Sequence, residues 1–265
     1  MKISVMSFNL RVNVESDGIN SLNNRRGRIL ETVKKHSPDI IGFQEVEDDT
    51  REWLRDSLPE YFVAGCGRNF DYMGESVPVA FRRDSFEMIS CENFALSPTP
   101  EIMGTRFIDV GQSECPRMAT ALKLKHREVC EPFIFVNTHA DHHAPEARAL
   151  EFSLLIKYMS QKGDRCILTG DLNTLPSEPI LRIFSENQSL AFTEAPAEIE
   201  ETFHAFGRVG KSSYWLEKYG EEKVKIDYIF TTPSISAKSA FAVEDEGVDG
   251  VYISDHRPII AFVEI

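Results

Sequence analysis

The sequence lacks the segments that would anchor or export the protein. No apolar stretch among its 265 residues approaches the length needed to span a bilayer. The beginning, MKISVMSFNL, is strand-like and has no long apolar core of a signal peptide. The five cysteines are an odd number without CxxC spacing, which argues against a disulfide framework and a zinc cluster. We therefore expect a soluble, cytoplasmic protein, and the sequence leaves its oligomeric state open.

Three common catalytic signatures and an excess of positive charge are also missing. The chain has no GxSxG elbow of a serine hydrolase, no Walker loop and no GxGxxG dinucleotide fingerprint. It carries 42 acidic and 29 basic residues, which gives a net charge of −13. Because Lys and Arg drive binding to polyanions by displacing counterions, this balance disfavours long nucleic acid unless a local basic groove exists.

Short apolar runs alternate with helical patterns along the chain, and no linker divides it. We therefore expect one domain over residues 1–265. Two strand–helix–strand units are predicted at 3–8, 25–36 and 40–43, and at 132–136, 145–159 and 166–169. Further strands are predicted at 77–81, 86–89, 118–124, 226–230 and 259–263.

The two strand–helix–strand units repeat one spacing. Asn9 and Glu45 lie 36 residues apart, and so do Asn137 and Asn173. Two such units would place polar groups at the carboxyl ends of their strands. If the two halves face each other, these strand ends build one cleft.

Polar side chains that end apolar runs are the most informative feature, because a strand holds its last side chains rigidly. Each of them alone fits a turn or a helix cap. Together they combine the oxygen ligands that suit Mg²⁺ or Mn²⁺ with imidazoles that can donate to a phosphate oxygen. This composition favours metal-assisted attack of water on phosphorus. The set comprises Asn9, Glu45, His139, Asp171, Asn173, Asp227, Asp255 and His256.

Six motifs in order carry a resemblance to a known family. SFNLR, IIGFQEV, FVNTHAD, TGDLN, KIDYIF and SDHRPI resemble the endonuclease/exonuclease/phosphatase superfamily, which includes deoxyribonuclease I, deadenylases and inositol-polyphosphate 5-phosphatases. NTHADHHAPEAR, GES and TFHAF are similar to a bacterial subgroup. The resemblance covers residues 3–263 and implies a single α/β catalytic domain. Its fold would be a four-layer sandwich, with two mainly antiparallel sheets packed face to face and helices on both outer faces.

The resemblance also implies a role for each candidate residue. For the metal, Mg²⁺ (or Mn²⁺), the implied residues are Glu45 as the principal ligand, with Asn9 and Asp255 holding or orienting the ion and its water. For catalysis they are Asp171 at the nucleophilic water, Asn173 and Arg117 at the phosphate, His256 with Asp227, and His139 with Glu75.

Two departures from the family bear on the substrate. Arg11 stands where abasic-site endonucleases carry an acid, so a second metal ligand of that kind is absent. The acidic run Glu47, Asp48 and Asp49 follows the key glutamate where deoxyribonuclease-like members favour a basic residue. Like charges beside a phosphate chain repel, so duplex DNA is disfavoured.

Three functional hypotheses follow. The first is a hydrolase of a small phosphodiester or phosphomonoester. The second is a nuclease on single-stranded RNA or DNA, such as a deadenylase-like 3′ exonuclease, which needs a basic strip leading to the site. The third is a non-catalytic binding module. Such a module would not need the complete set of polar residues at the strand ends, so their presence counts against it. Asp141, His142 and Arg148 could extend the site or serve local structure only, and both interpretations stay open. The same holds for the loop 203–225, which contains Phe203, His204, Phe206, Tyr214 and Trp215.

Overall fold

Every strand and helix predicted from the sequence is present, although several ends differ. The computed structural model describes residues 1–129, 131–209, 217 and 223–265. Within them the α-helices are α1 (Leu22–His36), α2 (Asp48–Ser57), α3 (Pro145–Lys162) and α4 (Arg182–Ser185). The strands are β1 (Lys2–Asn9), β2 (Ile40–Gln44), β3 (Tyr61–Ala64), β4 (Val79–Arg82), β5 (Phe86–Ala95), β6 (Met118–His126), β7 (Phe133–His139), β8 (Cys166–Asp171), β9 (Thr193–Glu194), β10 (Asp227–Thr231), β11 (Ser236–Ala242) and β12 (Ile259–Glu264).

The described strands form two six-stranded sheets. Their orders are β11-β12-β1-β2-β4-β3 and β5-β6-β7-β8-β10-β9. At the centre of each sheet lies one parallel pair, β1 with β2 and β7 with β8, joined through α1 and α3. The other strand pairs are antiparallel. The prediction of two mainly antiparallel sheets is therefore confirmed.

The internal repeat is real, but the equal spacing that suggested it does not mark equivalent positions. The end of β1, Asn9, pairs with Gln44, a separation of 35 residues (9 to 44). The end of β7, His139, pairs with Asp171, a separation of 32 residues (139 to 171). Asn137 therefore lies two residues inside β7, and the counterpart of Asn9 at the strand end is His139.

Three apolar clusters separate the layers, as expected for a four-layer sandwich. The first lies between the sheets and contains Val5, Ile40, Leu122, Phe135, Ile167 and Ala261. The second joins α3 to the outer face of the second sheet through Phe152, Leu155, Ile156, Val136 and Leu168. The third joins α1 and α2 to the outer face of the first sheet through Ile29, Val33, Leu54, Met6 and Phe43.

The two sheets approach each other closely just behind the ends of their central strands. Gly42 makes this possible, because a Cβ there would lie 2.3 Å from Oγ1 of Thr169. Asn137 fills the gap: it donates to the carbonyl of Phe43 (2.6 Å) and accepts from Nε2 of Gln44 (2.7 Å). These buried hydrogen bonds fix the two sheets relative to each other. The strand ends of both sheets are thereby held at one edge.

The sequence pattern did not predict α2, β3 or β11. Helix α2 reads DDTREWLRDS and has few apolar residues to show a period. The acids Asp48 and Asp49 occupy its first turn, where negative charge is favourable beside the positive end of the helix dipole. The acidic run after Glu45 therefore has a structural reason, independent of any substrate.

None of the described helices is long and apolar enough to cross a membrane. The four cysteines in the described ranges, Cys66, Cys91, Cys115 and Cys166, are free thiols.

Candidate active site

Polar side chains from five strand ends converge at one edge of the sandwich. Asn9 and His139 end the parallel strands β1 and β7, and Asp171 ends β8. Glu45 follows β2, and Asp227, the first residue of β10, pairs with Asp171 across an antiparallel register. Because each strand is anchored in a buried sheet, these groups are held in place without the cost of ordering a loop.

These groups surround a cleft of about 410 Å³, a size that suits a small ligand. Eight of the ten predicted site residues line it, and Asn9 and Asp227 support them from behind. None of the acids Glu47, Asp48 and Asp49 is among the lining residues. The cleft is lined by Arg11, Glu45, Arg68, Glu75, Cys115, Arg117, His139, His142, Asp171, Asn173, Phe203, Ala205, Arg208, Ile226, Asp255 and His256.

The amide of Asn9 links the two acids at the base of the cleft. Its Nδ2 donates to Oε1 of Glu45 (3.0 Å) and to Oδ2 of Asp171 (3.0 Å). Its Oδ1 accepts from the backbone N–H of Arg11 (2.9 Å). In this arrangement Asn9 orients the two carboxylates, and its own oxygen faces the backbone.

Asp171, His256 and Asp227 form a buried row of three charged side chains, with the imidazole between the two carboxylates. Nδ1 of His256 donates to Oδ2 of Asp227 at 2.8 Å, and its Nε2 lies 3.7 Å from Oδ2 of Asp171. Oδ1 of Asp171 accepts from the backbone N–H of Asn173 (3.0 Å). Since Asp227 fixes the proton on Nδ1, the Nε2 side of His256 is the side presented to the cleft.

Burial and neighbouring charge shift the pKa of these groups in opposite directions. Burial, reinforced by the Asp227 carboxylate, raises the pKa of Asp171 to about 7. Burial opposes the charged form of His256, but Asp227 and Asp171 together raise the pKa of His256 to about 10. Burial also raises the pKa of Asp255 above its usual value. The imidazolium of His256 thus compensates the charge of the surrounding carboxylates.

His139 stands on the other side of Asp171. Its Nε2 lies 3.5 Å from Oδ2 of Asp171, and its Nδ1 lies 3.7 Å from Oε1 of Glu75. Burial, with the positive charge of Arg117, holds the pKa of His139 well below its usual value. Glu75 also accepts from the guanidinium of Arg68 at 2.7 Å. The predicted pairing of His139 with Glu75 is therefore one of proximity, longer than a hydrogen bond.

Arg117 lines the cleft and is almost fully buried. One guanidinium nitrogen hydrogen-bonds to Nδ1 of His142 at 2.8 Å, and its Nε lies 3.9 Å from Oδ1 of Asp141. Asp141 itself is fully buried. Arg148 donates to the carbonyl of Asp141 and to Glu178. Of the three residues left open, Asp141 and Arg148 are structural, and His142 lines the cleft.

Four residues that line the cleft have left-handed backbone conformations. The φ angles are 58° at Glu45, 47° at Asn173, 59° at Arg11 and 48° at Ala205. Asn adopts this region readily, but a glutamate or arginine there costs about 1–2 kcal/mol. The turn is stabilised by the backbone N–H of Val12, which donates to Oε2 of Glu45 (2.9 Å). The backbone is therefore strained at Glu45, directly after the end of β2.

The described part of the loop 203–225 packs against the site. Phe203 is buried and contacts the His256 ring edge-on, with ring centroids 4.8 Å apart. The backbone N–H groups of His204 and Ala205 donate to the carbonyl of Asp255. Phe203 therefore belongs both to a small apolar cluster of its own and to the cleft wall. Tyr214 and Trp215 lie outside the described residues.

The donor set fits a hard divalent cation. Glu45, His139 and Asp171 each offer a ligand atom, and these atoms lie within 4.8 Å of one another. Burying several carboxylates together is costly unless a cation compensates them, and oxygen donors suit Mg²⁺ or Mn²⁺. Asp171, Asp227 and His256 form a second group of this kind, but there the ring nitrogen is engaged with Asp227. Asp255 lies in neither group and instead faces Arg11, with Nε 3.7 Å from Oδ2.

Two arginines of the cleft, Arg68 and Arg208, were not identified from the sequence. Arg68 faces Glu75 because the chain forms a hairpin, in which the N–H of Arg68 donates to the carbonyl of Glu75. Only the turn-rich run NFDYMG between them hinted at that hairpin. Arg208 comes from the loop after Phe203, where no periodic pattern exists.

Comparison with known proteins gives one family. The model of the Endonuclease/Exonuclease/phosphatase family matches residues 6–256. A search of curated proteins found no match.

Solved structures include similar proteins over the whole chain. The endonuclease/exonuclease/phosphatase from Bacteroides vulgatus is 30% identical with a TM-score of 0.88, over 100% of this chain and 99% of that chain. The mannosyl-6-phosphatase of Bacteroides thetaiotaomicron is 24% identical with a TM-score of 0.84, over 99% and 100%. The human Nocturnin catalytic domain with bound sulfate is 19% identical with a TM-score of 0.73, over 99% and 93%. The last two similarities show the fold alone.

The six motifs, the four-layer sandwich and the strand-end cluster agree with these comparisons. Since the family model spans most of the chain and a 30% identical structure covers all of it, this chain belongs to the endonuclease/exonuclease/phosphatase family and has its phosphoesterase fold.

Proposed function

We propose that this chain is a divalent-metal-dependent hydrolase of a small phosphate ester, which acts by attack of an activated water. The observation that carries the proposal is the position of Asp171. Its carboxylate is held by Asn9 and Asn173 at the base of the cleft, between His139 and His256. A single carboxylate between two imidazoles is suited to orient a water and accept its proton.

Glu45 is the residue that we assign most directly to the metal. It lies beside Asp171 and His139, and Asn9 keeps its carboxylate in place. Asp255 adds a further buried carboxylate to the negative field of the site. A bound Mg²⁺ or Mn²⁺ would neutralise charge on the phosphate and stabilise the leaving oxygen. The role of Asn9 in this scheme is to orient Glu45 and Asp171.

Asp171 and His256 divide the proton transfers. Asp171 takes the proton of the attacking water, and Asn173, which lines the cleft beside it, contacts the phosphate. His256 donates from Nε2 to a phosphate oxygen or to the departing group, and Asp227 holds the imidazole ring for that task. Arg117 and His139, which also line the cleft, complete the phosphate contacts.

A small ester fits the cleft better than a nucleic-acid strand. A nuclease needs a basic strip leading to Asp171. Of the cleft arginines, Arg11 is engaged with Asp17 and Asp255, and Arg68 with Glu75. The charges of these two arginines are thus largely compensated within the protein. The similarity in fold to a mannosyl-6-phosphatase supports a small phosphomonoester further.

A substrate panel with metal control tests this proposal. The protein is assayed with Mg²⁺, with Mn²⁺ and with EDTA on p-nitrophenyl phosphate, bis-p-nitrophenyl phosphate, mannose 6-phosphate and a short single-stranded oligonucleotide. We expect turnover of at least one small ester that EDTA abolishes and Mg²⁺ or Mn²⁺ restores. Turnover unaffected by EDTA, or cleavage of the oligonucleotide alone, would contradict the proposal.

A further inference from the structure

Arg208 is the arginine of the cleft whose charge no carboxylate of the described residues compensates. Arg11, Arg68 and Arg117 form ion pairs with carboxylates at 3.0, 2.7 and 3.9 Å. Arg208 instead donates through Nε to the carbonyl of Ala205 (2.9 Å), and within the described ranges its two terminal nitrogens have no hydrogen-bond or ion-pair partner. The residue is exposed and lines the cleft. Its terminal nitrogens are therefore accessible to an anion that enters the cleft.

The loop that carries Arg208 is held against the catalytic residues. The backbone N–H of Ala205 donates to the carbonyl of Asp255 at 3.1 Å. Phe203 contacts the ring of His256 edge-on, with the ring centroids 4.8 Å apart. Since the guanidinium of Arg208 is hydrogen-bonded to Ala205, these contacts place it on the part of the cleft wall that adjoins Asp255 and His256.

A strained turn holds Arg208 in this position. Ala205, Phe206 and Gly207 are three successive residues in the left-handed region, with φ angles of 48°, 58° and 71°. Residues with a Cβ rarely adopt this region, and such strain is found mainly where the surrounding structure enforces it at a functional site. The N–H of Arg208 donates to the carbonyl of His204 (2.9 Å), and its guanidinium carbon lies 5.7 Å from the centroid of the Phe206 ring. The side chain is thus fixed through Nε and the aromatic ring, which leaves its terminal nitrogens for a ligand.

The chemistry of these two nitrogens indicates the kind of ligand. A guanidinium presents them as parallel donors, which match the two oxygens of a carboxylate or a phosphate. A cleft of about 410 Å³ has the size for a whole small ester and not only for its phosphate group. In the proposed mechanism His256 donates to the departing group, so an arginine that adjoins His256 meets that part of the substrate. We infer that Arg208 forms a second anion subsite, which makes the cleft selective for phosphate esters whose departing group carries a negative charge of its own.

This inference rests on the proposed function, and its test separates the two. 3-Phosphoglycerate and glycerol 3-phosphate differ at one end of the departing group, which is a carboxylate in the first and a hydroxymethyl group in the second. Their inhibition constants are measured with Mg²⁺ against the small ester of the substrate panel that the wild type hydrolyses fastest. We expect the wild type to bind 3-phosphoglycerate about tenfold or more tightly than glycerol 3-phosphate, as for a hydrogen-bonded pair of charges. Arg208→Gln should reduce this ratio to within about threefold of unity.

Three further variants show whether the charge of Arg208 is responsible. Arg208→Lys, which keeps the charge but not the parallel donors, should retain a ratio between those of the wild type and Arg208→Gln. Arg208→Glu should make glycerol 3-phosphate the tighter inhibitor. Arg182→Gln, at an exposed arginine of α4 that does not line the cleft, is the matched control and should keep the wild-type ratio.

Equal inhibition constants in the wild type, or a ratio that Arg208→Gln leaves unchanged, would overturn the inference while the proposed function stands. A wild-type protein that hydrolyses no small ester would refute the proposed function itself and this inference with it.

Discussion

Replacing Glu151 by glutamine should change how the stability of the protein depends on pH. Glu151 lies on α3, is fully buried beneath the cleft wall, and accepts from the N–H of Asp141 through Oε2. Its Oε1 has no hydrogen-bond partner among the described residues. Burial is the main reason that the pKa of Glu151 rises to about 8; the hydrogen bond from the Asp141 N–H, Arg117 and Arg148 oppose the rise, and the Asp141 carboxylate adds to it.

The sign of the effect follows from this raised pKa. The folded protein binds the Glu151 proton more tightly than the unfolded chain, in which the pKa has its ordinary value of 4.5. The contribution of Glu151 to stability is therefore fully present below pH 4.5 and is lost as the pH rises towards 8. Integrated over that window, the loss is on the order of 4 kcal/mol. Glutamine resembles the protonated acid and does not titrate, so this loss should disappear.

Urea unfolding at pH 5, 6, 7 and 8 measures this directly. At pH 5 the free energies of unfolding of the wild type and Glu151→Gln should differ by less than about 1 kcal/mol. At pH 8 the variant should be more stable by several kcal/mol, on the order of 4. Glu146→Gln, at an exposed glutamate of the same helix, should follow the wild-type curve. A Glu151→Gln curve parallel to that of the wild type would refute a carboxyl group that is protonated in the fold at neutral pH.

Two further substitutions test the support and the metal role of the site. Arg25 is fully buried and donates to the carbonyls of Asn20, Leu10, Ile253 and Arg11, so Arg25→Met should lower the free energy of unfolding by about 4 kcal/mol. Arg26→Met, one position on, should cost less than about 1 kcal/mol in the same urea titration, and equal losses would contradict the account. Glu45→Gln should raise the Mg²⁺ concentration for half-maximal activity about tenfold or more, as a ligand change does. Glu52→Gln, at an exposed glutamate of α2, should not, and an unchanged requirement in Glu45→Gln would exclude its role as ligand.

The sequence predicts the convergence of the site because strand ends are fixed by the fold. Asn9, Glu45, His139 and Asp171 each end an apolar run, and the central strands of the two sheets bring them to one edge. A period of apolar residues identifies such runs. The two strand–helix–strand units were found for the same reason, although the equal spacing that drew attention to them was incidental.

Contacts that depend on tertiary packing could not be predicted in this way. Helix α2 forms because acids begin it and the Asp48 carboxylate is held by Arg51 and the N–H of Gly74, which no local period reveals. The pairing of Arg68 with Glu75 needs a tight hairpin, because the two residues lie only seven positions apart in the sequence. The orientation of the Asn9 amide towards Glu45 follows from the backbone N–H of Arg11, which occupies its oxygen.

The activity of Asp171→Asn tests the central claim most directly. Asparagine retains the shape of the side chain but cannot accept a proton from water, so kcat on the preferred small ester should fall about 10²–10⁴-fold. The variant should still fold, which its circular dichroism spectrum checks, because Asp171 contributes no apolar packing to the core. Asp56→Asn, at an exposed position of α2, should retain full activity. A folded Asp171→Asn protein with near wild-type kcat would contradict the claim that this carboxylate activates the attacking water.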